Sequence, residues 1–412
     1  MSFRPASHSL HTKLTKDVRQ AEGIFFTPAA IRARLLELVT TVGGVSAPMT
    51  VLEPSFGSGE FVFDLLERFP AAKIHGVELN RMAFLETAGV VGGLTGEIAA
   101  RLVLTNTDFL KYSGPTGKMD LIVGNPPYFV TKQKDSRCMT GRGNVFVQFI
   151  YKCLTEHLRE GGVLAFVLPT SFYNCCYYDP CRRYIAANTT VLAVEEVGAA
   201  TVGDTDFYDT AQKTMLLVVR KAPPSTVELG EPPYILTAAG STYINPHAAD
   251  LAAARAEAGA TIASLGCAVK TGEVVWNEHK EKLTADASGA NTVLVLYSNN
   301  IKGGALQVGE PGKGKQQYIR NFEGAAGPTT GPAILVSRGY GNTTYSLNFV
   351  LVPAGMRFYG ENHVNVITGP AVGIERIAAS LADVRTGEFI RQFVGNGALS
   401  KTELESVLPI WG

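Results

Sequence analysis

Asn125-Pro126-Pro127-Tyr128 follows directly on an apolar run, Leu121-Ile122-Val123-Gly124. A strand that ends in an amide, two prolines and an aromatic is a poor packing element but a good holder of a planar amine. The Asn125 side-chain oxygen and the Pro126 carbonyl can both point at one NH2 group, because the prolines stiffen the backbone and bring no donors of their own. Tyr128 offers a flat face on which a base or an amide can stack. The plain alternative is an ordinary strand-to-loop turn, since proline pairs punctuate loops.

A second constellation lies upstream. Val51-Leu52-Glu53-Pro54-Ser55-Phe56-Gly57-Ser58-Gly59-Glu60-Phe61 reads as a strand, a glycine turn and a helix start. Gly57 and Gly59 remove Cβ atoms where a ligand must touch backbone, and the helix N-terminus just after them favours a carboxylate. A nicotinamide fingerprint needs a third glycine where Val62 stands, so a dinucleotide is disfavoured. Glu53 at the strand end suits a cationic amino-acid ligand better than a pyrophosphate. Glu78 closes the next strand and has the placement of a ribose-binding carboxylate, or is a solvated loop acid. Asp108 can accept from an adenine amine while Phe109 packs on the ring, or Asp108 caps a helix. These groups occur in order, each at the C-terminal edge of a strand, where open α/β sheets bind ligands.

The elements that position them alternate as short apolar runs and amphipathic stretches, the pattern of a mostly parallel sheet with helices on both faces. Strands are expected at Thr50–Glu53, Ile74–Glu78, Leu102–Thr105, Leu121–Gly124, Val163–Leu168, Val191–Val197 and Met215–Arg220, with helices at Ala29–Val39, Glu60–Glu67 and Phe146–Leu158. The Pro-rich stretch Lys221–Pro233 reads as a linker. It splits the chain into a catalytic domain, 1–222, and an irregular β-rich or α+β domain, 223–412, whose short strands are divided by Gly-rich turns.

The chain of 412 residues can bury two sizeable cores, and 46% hydrophobic with 18% charged residues describes a globular protein. A formal net charge of zero argues against a simple nucleic-acid binder, although local patches set the field in a cleft. No apolar run reaches membrane-spanning length. The polar start shows no secretory signal. The six cysteines have neither zinc-site nor disulfide-scaffold spacing, so no metal and a reducing, cytoplasmic compartment are expected.

The first half resembles the gamma-class S-adenosylmethionine-dependent DNA adenine-N6 methyltransferases, in which the methyl-donor motifs come first and a target-recognition domain last. Gly23-Ile24-Phe25-Phe26-Thr27-Pro28 is similar to that family's early motif, and Glu53 to Gly59 to its glycine motif. The resemblance implies a class I methyltransferase fold. It makes Thr27, Glu53, Pro54, Ser55, Gly57, Gly59, Glu78, Asp108, Phe109, Asn125 and Phe149 donor contacts. Asn125, Pro126, Pro127 and Tyr128 become the catalytic corner, and Phe207, with Tyr208 as runner-up, packs on a flipped base. Gly161 to Pro169 matches the family's late strand. One departure is Phe56, a bulky residue inside the glycine turn.

Taken with the residues, this implies methyl transfer from S-adenosyl-L-methionine to an adenine amine in double-stranded DNA. A cognate restriction endonuclease acting separately is a candidate partner. The basic loop Lys132, Lys134, Arg137 and Arg142 can close over the DNA backbone, or is merely solvated. Arg4, Lys13, Lys16 and Arg19 read as a disordered tail rather than a phosphate-gripping arm. Lys280, Lys313, Lys315, Arg320, Arg338, Asn342 and Arg357 are candidate contacts in the second half. Rival readings are an RNA adenine or protein glutamine methyltransferase, or an inactive nucleic-acid-binding homologue. The length beyond residue 222 favours the large duplex substrate. Cys181 is not expected to act as a nucleophile.

Overall fold

Seven strands of the first half form one sheet because their side chains alternate between two apolar layers. The strands are β1 (Thr50–Glu53), β2 (Lys73–Glu78), β3 (Leu102–Asn106), β4 (Met119–Gly124), β5 (Leu158–Pro169), β6 (Thr190–Val197) and β7 (Thr214–Arg220); the central runs of β1, β2, β4, β5 and β7 are buried, and the edge strand β3 is half-buried. Leu164, Phe166 and Leu168 face one layer, with Ile122, Leu217 and Val219. Val163, Ala165 and Val167 face the other, with Leu121, Val123 and Val218. This period of two, hydrophobic on both faces, is the signature of a sheet covered by helices on each side.

The order is β3-β2-β1-β4-β5-β7-β6. β1 to β5 pair in parallel, and β7 runs antiparallel between β5 and β6. The chain builds outward from β1 to β3 and then returns to lay β4 beside β1. The crevice between these two strands is the switch point at which such sheets bind ligands. The helices are α1 (Pro5–Lys13), α2 (Ala29–Thr41), α3 (Glu60–Arg68), α4 (Arg81–Gly92), α5 (Val145–Lys152) and α6 (Asp179–Asn188).

Two expectations are corrected. The start of the chain is not a loose tail: residues 5–13 are helical, and Arg4 pairs with Glu60, Asp64 and Glu67. The helix expected over 146–158 stops at Lys152. Residues Cys153–His157 form a π turn, and Leu158 already begins β5.

The computed structural model describes residues 3–15, 17–18, 23, 25–197, 213–222, 233–309, 311–312, 314–339 and 345–412. Most of the expected linker, and Phe207, Tyr208, Lys16, Arg19, Lys313 and Asn342, lie outside these. The chain divides into one unit of Met1–Leu236 with Ser241–Ala248 and a second of Thr237–Gly240 with Ala249–Gly412, later than the expected boundary at 222/223. The strand Ser241–Ile244 stays with the first unit because α6 holds it. Thr242 N donates to Asp179 Oδ1 at 2.8 Å, and the buried Arg182 Nε donates to Thr242 O.

The second unit is β-rich. Ala268–Thr271, Val364–Thr368, Ala333–Ser337 and Phe349–Val352 form an antiparallel sheet. Leu283–Thr284, Tyr318–Arg320, Thr292–Leu296, Arg357–Gly360 and Thr329–Thr330 form another, with helices at Ala371–Ala382, Val384–Phe393 and Lys401–Ser406. Among the described residues, no helix is long and apolar enough to cross a membrane.

Candidate active site

A cleft of about 240 Å³ opens over the C-terminal ends of β1, β2 and β4, lined by Thr27, Pro54, Ser55, Gly57, Glu78, Asp108, Phe109, Asn125, Pro127 and Phe149 among others. Ten of the expected site residues thus meet although they come from six separate segments of chain. Phe25, Phe26, Ser58 and Glu60, which lie within the quoted motifs but were not singled out, also line it, as do Asn80, Phe129 and Gln133, whose only signal is that they neighbour the motifs.

Glu78 organises the glycine turn. Its carboxylate accepts from Gly57 N at 2.8 Å and from Asn80 N at 2.6 Å, so two loop amides converge on one acid. Gly57 has φ +53, a left-handed conformation, and a Cβ there would meet nothing within 4 Å. That open space beside backbone amides suits a ligand. Gly59 plays another part. Its φ is +81, but a Cβ would strike Thr87 Cγ2 at 2.7 Å and Phe63 Cε2 at 2.9 Å. It serves the packing of α3 against α4, and it does not line the cleft.

Glu53 is a further correction, because it lies beneath the cleft floor rather than in it. It is 1% exposed, accepts from Ser55 N at 3.1 Å through Oε1, and leaves Oε2 buried without a partner. Burial, reinforced by the charge of Glu78, pushes its pKa well above the usual carboxylate range. Asp108 takes the capping role, Oδ1 accepting from Leu110 N at 2.9 Å at the turn Phe109–Lys111, and the residue also lines the cleft. Phe109 and Phe149 make the apolar wall, ring centroids 4.8 Å apart. His157 backs Phe109 at 5.5 Å, its pKa lowered by burial.

At the other end stands the proline corner. The Asn125 amide is held from both sides: Nδ2 donates to Thr27 Oγ1 at 3.0 Å and Phe25 O at 3.4 Å, while Oδ1 faces the Tyr128 hydroxyl at 2.5 Å. The amide's orientation follows from these partners. Ser55 Oγ donates to Asn125 O at 3.2 Å, which ties the corner to the glycine turn. Among the described residues, no N–H or O–H is bonded to the Pro126 carbonyl. Gly23 packs so closely that a Cβ would lie 2.9 Å from both Pro127 Cβ and Tyr128 N.

Tyr128 is half-buried. Its hydroxyl has one hydrogen for two acceptors, Asn125 Oδ1 and Val167 O at 2.7 Å, and burial raises its pKa well above the usual phenol value. Its ring meets Phe146 edge-on at 5.9 Å. The residue is first a brace for Asn125.

Behind Thr27, Arg32 is 3% exposed and binds Thr27 O at 2.6 Å, Asp64 Oδ2 at 2.6 Å and Glu60 Oε2 at 2.9 Å. The Ser7 hydroxyl of α1 lies 2.6 Å from Glu60 Oε1 and 2.7 Å from Ser58 Oγ. In the loop after the corner, Arg137 is already paired with Asp135, whereas Lys132, Lys134 and Arg142 are exposed. Cys181 is fully buried, its thiol pKa pushed well up by burial, which leaves it no nucleophilic role.

Comparison with known proteins gives a consistent picture. Residues 91–202 match the model of the Eco57I restriction-modification methylase family. Over its whole length the chain is 32% identical to the type II methyltransferase M.CvrRI of Paramecium bursaria Chlorella virus XZ-6E, covering 99% of that protein. It is 31% identical to the modification methylase CviBIII of Paramecium bursaria Chlorella virus NC1A, over 96% of this chain and 95% of that one. A solved structure from Listeria monocytogenes, described as a class I S-adenosylmethionine-dependent methyltransferase, aligns over 53% of this chain and 66% of its own at 17% identity, TM-score 0.41.

Proposed function

Because the chain belongs to the type II restriction-modification methyltransferases, which modify DNA with S-adenosyl-L-methionine as donor, we propose that it is a gamma-class adenine-N6 enzyme acting on a base flipped out of the duplex. The observation that carries this reading is the corner itself. Both Asn125 amide hydrogens are spent on Thr27 and Phe25, so the atom left for a ligand is Oδ1, and the Pro126 carbonyl is a second acceptor without a partner. Two acceptors on one rigid turn match the two hydrogens of an exocyclic amine.

The residues present fit the donor. The open space at Gly57, the Glu78 carboxylate, and the wall of Phe109 and Phe149 with Asp108 beside it would hold its amino-acid, ribose and adenine parts respectively. When bound, S-adenosyl-L-methionine supplies an electrophilic methyl group. The chain's own part is positional. Asn125 Oδ1 and Pro126 O hold the amine hydrogens, which draws the nitrogen toward a pyramidal form and turns its lone pair outward. The amine takes the second lone pair of Oδ1, beside the Tyr128 hydroxyl that braces it. Tyr128 and Phe207 are the assigned ring contacts of the flipped base, whose extrusion costs a few kcal/mol. A cognate restriction endonuclease remains the candidate partner.

The test is to incubate the protein with labelled donor and plasmid DNA and identify the modified nucleoside. N6-methyladenine is expected; label in a methylated cytosine, or only in RNA, would overturn the assignment.

A further inference from the structure

In the second unit, two lysines converge on one indole. Lys280 Nζ lies 4.9 Å from the centroid of the Trp276 ring and Lys315 Nζ lies 5.7 Å from it; Lys315 also stands 4.8 Å over Tyr297. Two ammonium groups at one ring repel each other, so the arrangement needs compensation. The local carboxylate is insufficient. Glu361 is fully buried and already taken, accepting from His363 N at 3.0 Å and meeting His363 Nδ1 at 2.7 Å, while Lys315 Nζ is 3.9 Å away. Lys280 is exposed and has no carboxylate partner among the described residues, although Glu278 and Glu281 flank it in sequence. Two examples from this unit show the contrast: Arg320 is neutralised by Asp286 and Arg385 by Asp383.

We propose that Lys280 and Lys315, resting on Trp276, form a clasp for the phosphodiester backbone of duplex DNA. The inference rests on the reading of the chain as a DNA methyltransferase and adds where the second unit grips its substrate. The half-buried indole gathers two positive charges, each within about 6 Å of its ring centroid, without cancelling them. A phosphodiester beside these charges relieves their repulsion and displaces condensed counterions from the duplex, which makes the contact independent of base sequence.

The clasp can be tested without knowing the recognised site. Binding of a short duplex of arbitrary sequence is followed by fluorescence anisotropy across a KCl series, for the wild type, Lys280→Gln and Lys280→Gln/Lys315→Gln. Each lost phosphate contact should make the slope of log K against log salt shallower by about 0.9, so the double variant should lose about 1.8. Unrelated duplexes should weaken equally, and donor affinity measured by calorimetry should not change. Because Lys280 is exposed, its single variant tests the idea even if the double variant folds poorly. Duplex binding should also change Trp276 emission against the steady background of the buried Trp411, and Trp276→Phe should abolish that change. An unaltered salt slope in a folded Lys280→Gln protein would overturn the clasp alone. A wild type with no salt-dependent duplex binding would instead remove the reading beneath it.

Discussion

Tyr128→Phe separates two roles of one side chain. It keeps the ring, with its edge contact to Phe146 at 5.9 Å and whatever surface it offers a base, and deletes only the hydroxyl shared between Asn125 Oδ1 and Val167 O. One buried hydrogen bond is worth about 1 kcal/mol net, so the melting temperature should fall by roughly 2–4 °C. If the same interaction holds Oδ1 in line for the amine, a similar loss in the transition state lowers kcat about fivefold. Stacking survives in phenylalanine, so the DNA concentration at half-saturation should barely move. Tyr128→Ala should lose the ring as well, and with it both turnover and DNA affinity. The assays are initial rates of labelled-methyl transfer to duplex and thermal unfolding. A Tyr128→Phe enzyme matching wild type in kcat and melting would refute the brace; one as inert as Tyr128→Ala would refute the division of labour.

The two glycines of the donor turn should behave oppositely. Gly57→Ala pushes a methyl into open space at φ +53 and should weaken donor binding at least about tenfold by calorimetry while the fold persists. Gly59→Ala collides with Thr87 and Phe63 and should lower the melting temperature more; equal melting of the two variants would contradict this. Burial holds Glu53 protonated in the fold, whereas the unfolded chain releases that proton near pH 4.3, so stability from this site is full below about pH 4.3 and is lost as pH rises toward the folded pKa. Glu53→Gln should therefore gain on wild type from pH 5 to pH 8 in melting temperature, and parallel curves would count against it. The His157 pKa is lowered, so its contribution is full above about pH 6.5 and is lost as pH falls below that. Donor affinity should hold through about pH 6.5 and drop only as pH falls through the lowered His157 value, because His157 backs Phe109, and His157→Phe should flatten the drop.

What could be read in advance follows from range. Strand alternation and the residues at strand ends are local patterns, so the sheet, the cleft and Asn125 were legible before any contact was known. Contacts across long separations were not. Arg4 meets Glu60 56 positions away, which turned an apparent tail into a packed helix. The Tyr128 hydroxyl reaches Val167 39 positions on, so a residue read only as a flat face also braces Asn125. Glu53 sits at an expected strand end, but whether such a side chain points into the cleft or under it depends on which strand lies beside it. The π turn that ended α5 early at Lys152 came within an apolar pattern that could have continued as helix.

The ion-pair network behind Thr27 has a practical corollary for handling the molecule. Because Arg4 and Ser7 both reach Glu60, and Arg32 links that acid to Thr27, the first two turns of chain act as a buttress for the Thr27 side of the cleft. Proteolytic nicking or a fusion partner spliced into that stretch would strand an acid that is 4% exposed with one cation fewer. A preparation clipped there would look intact by size and still turn over slowly.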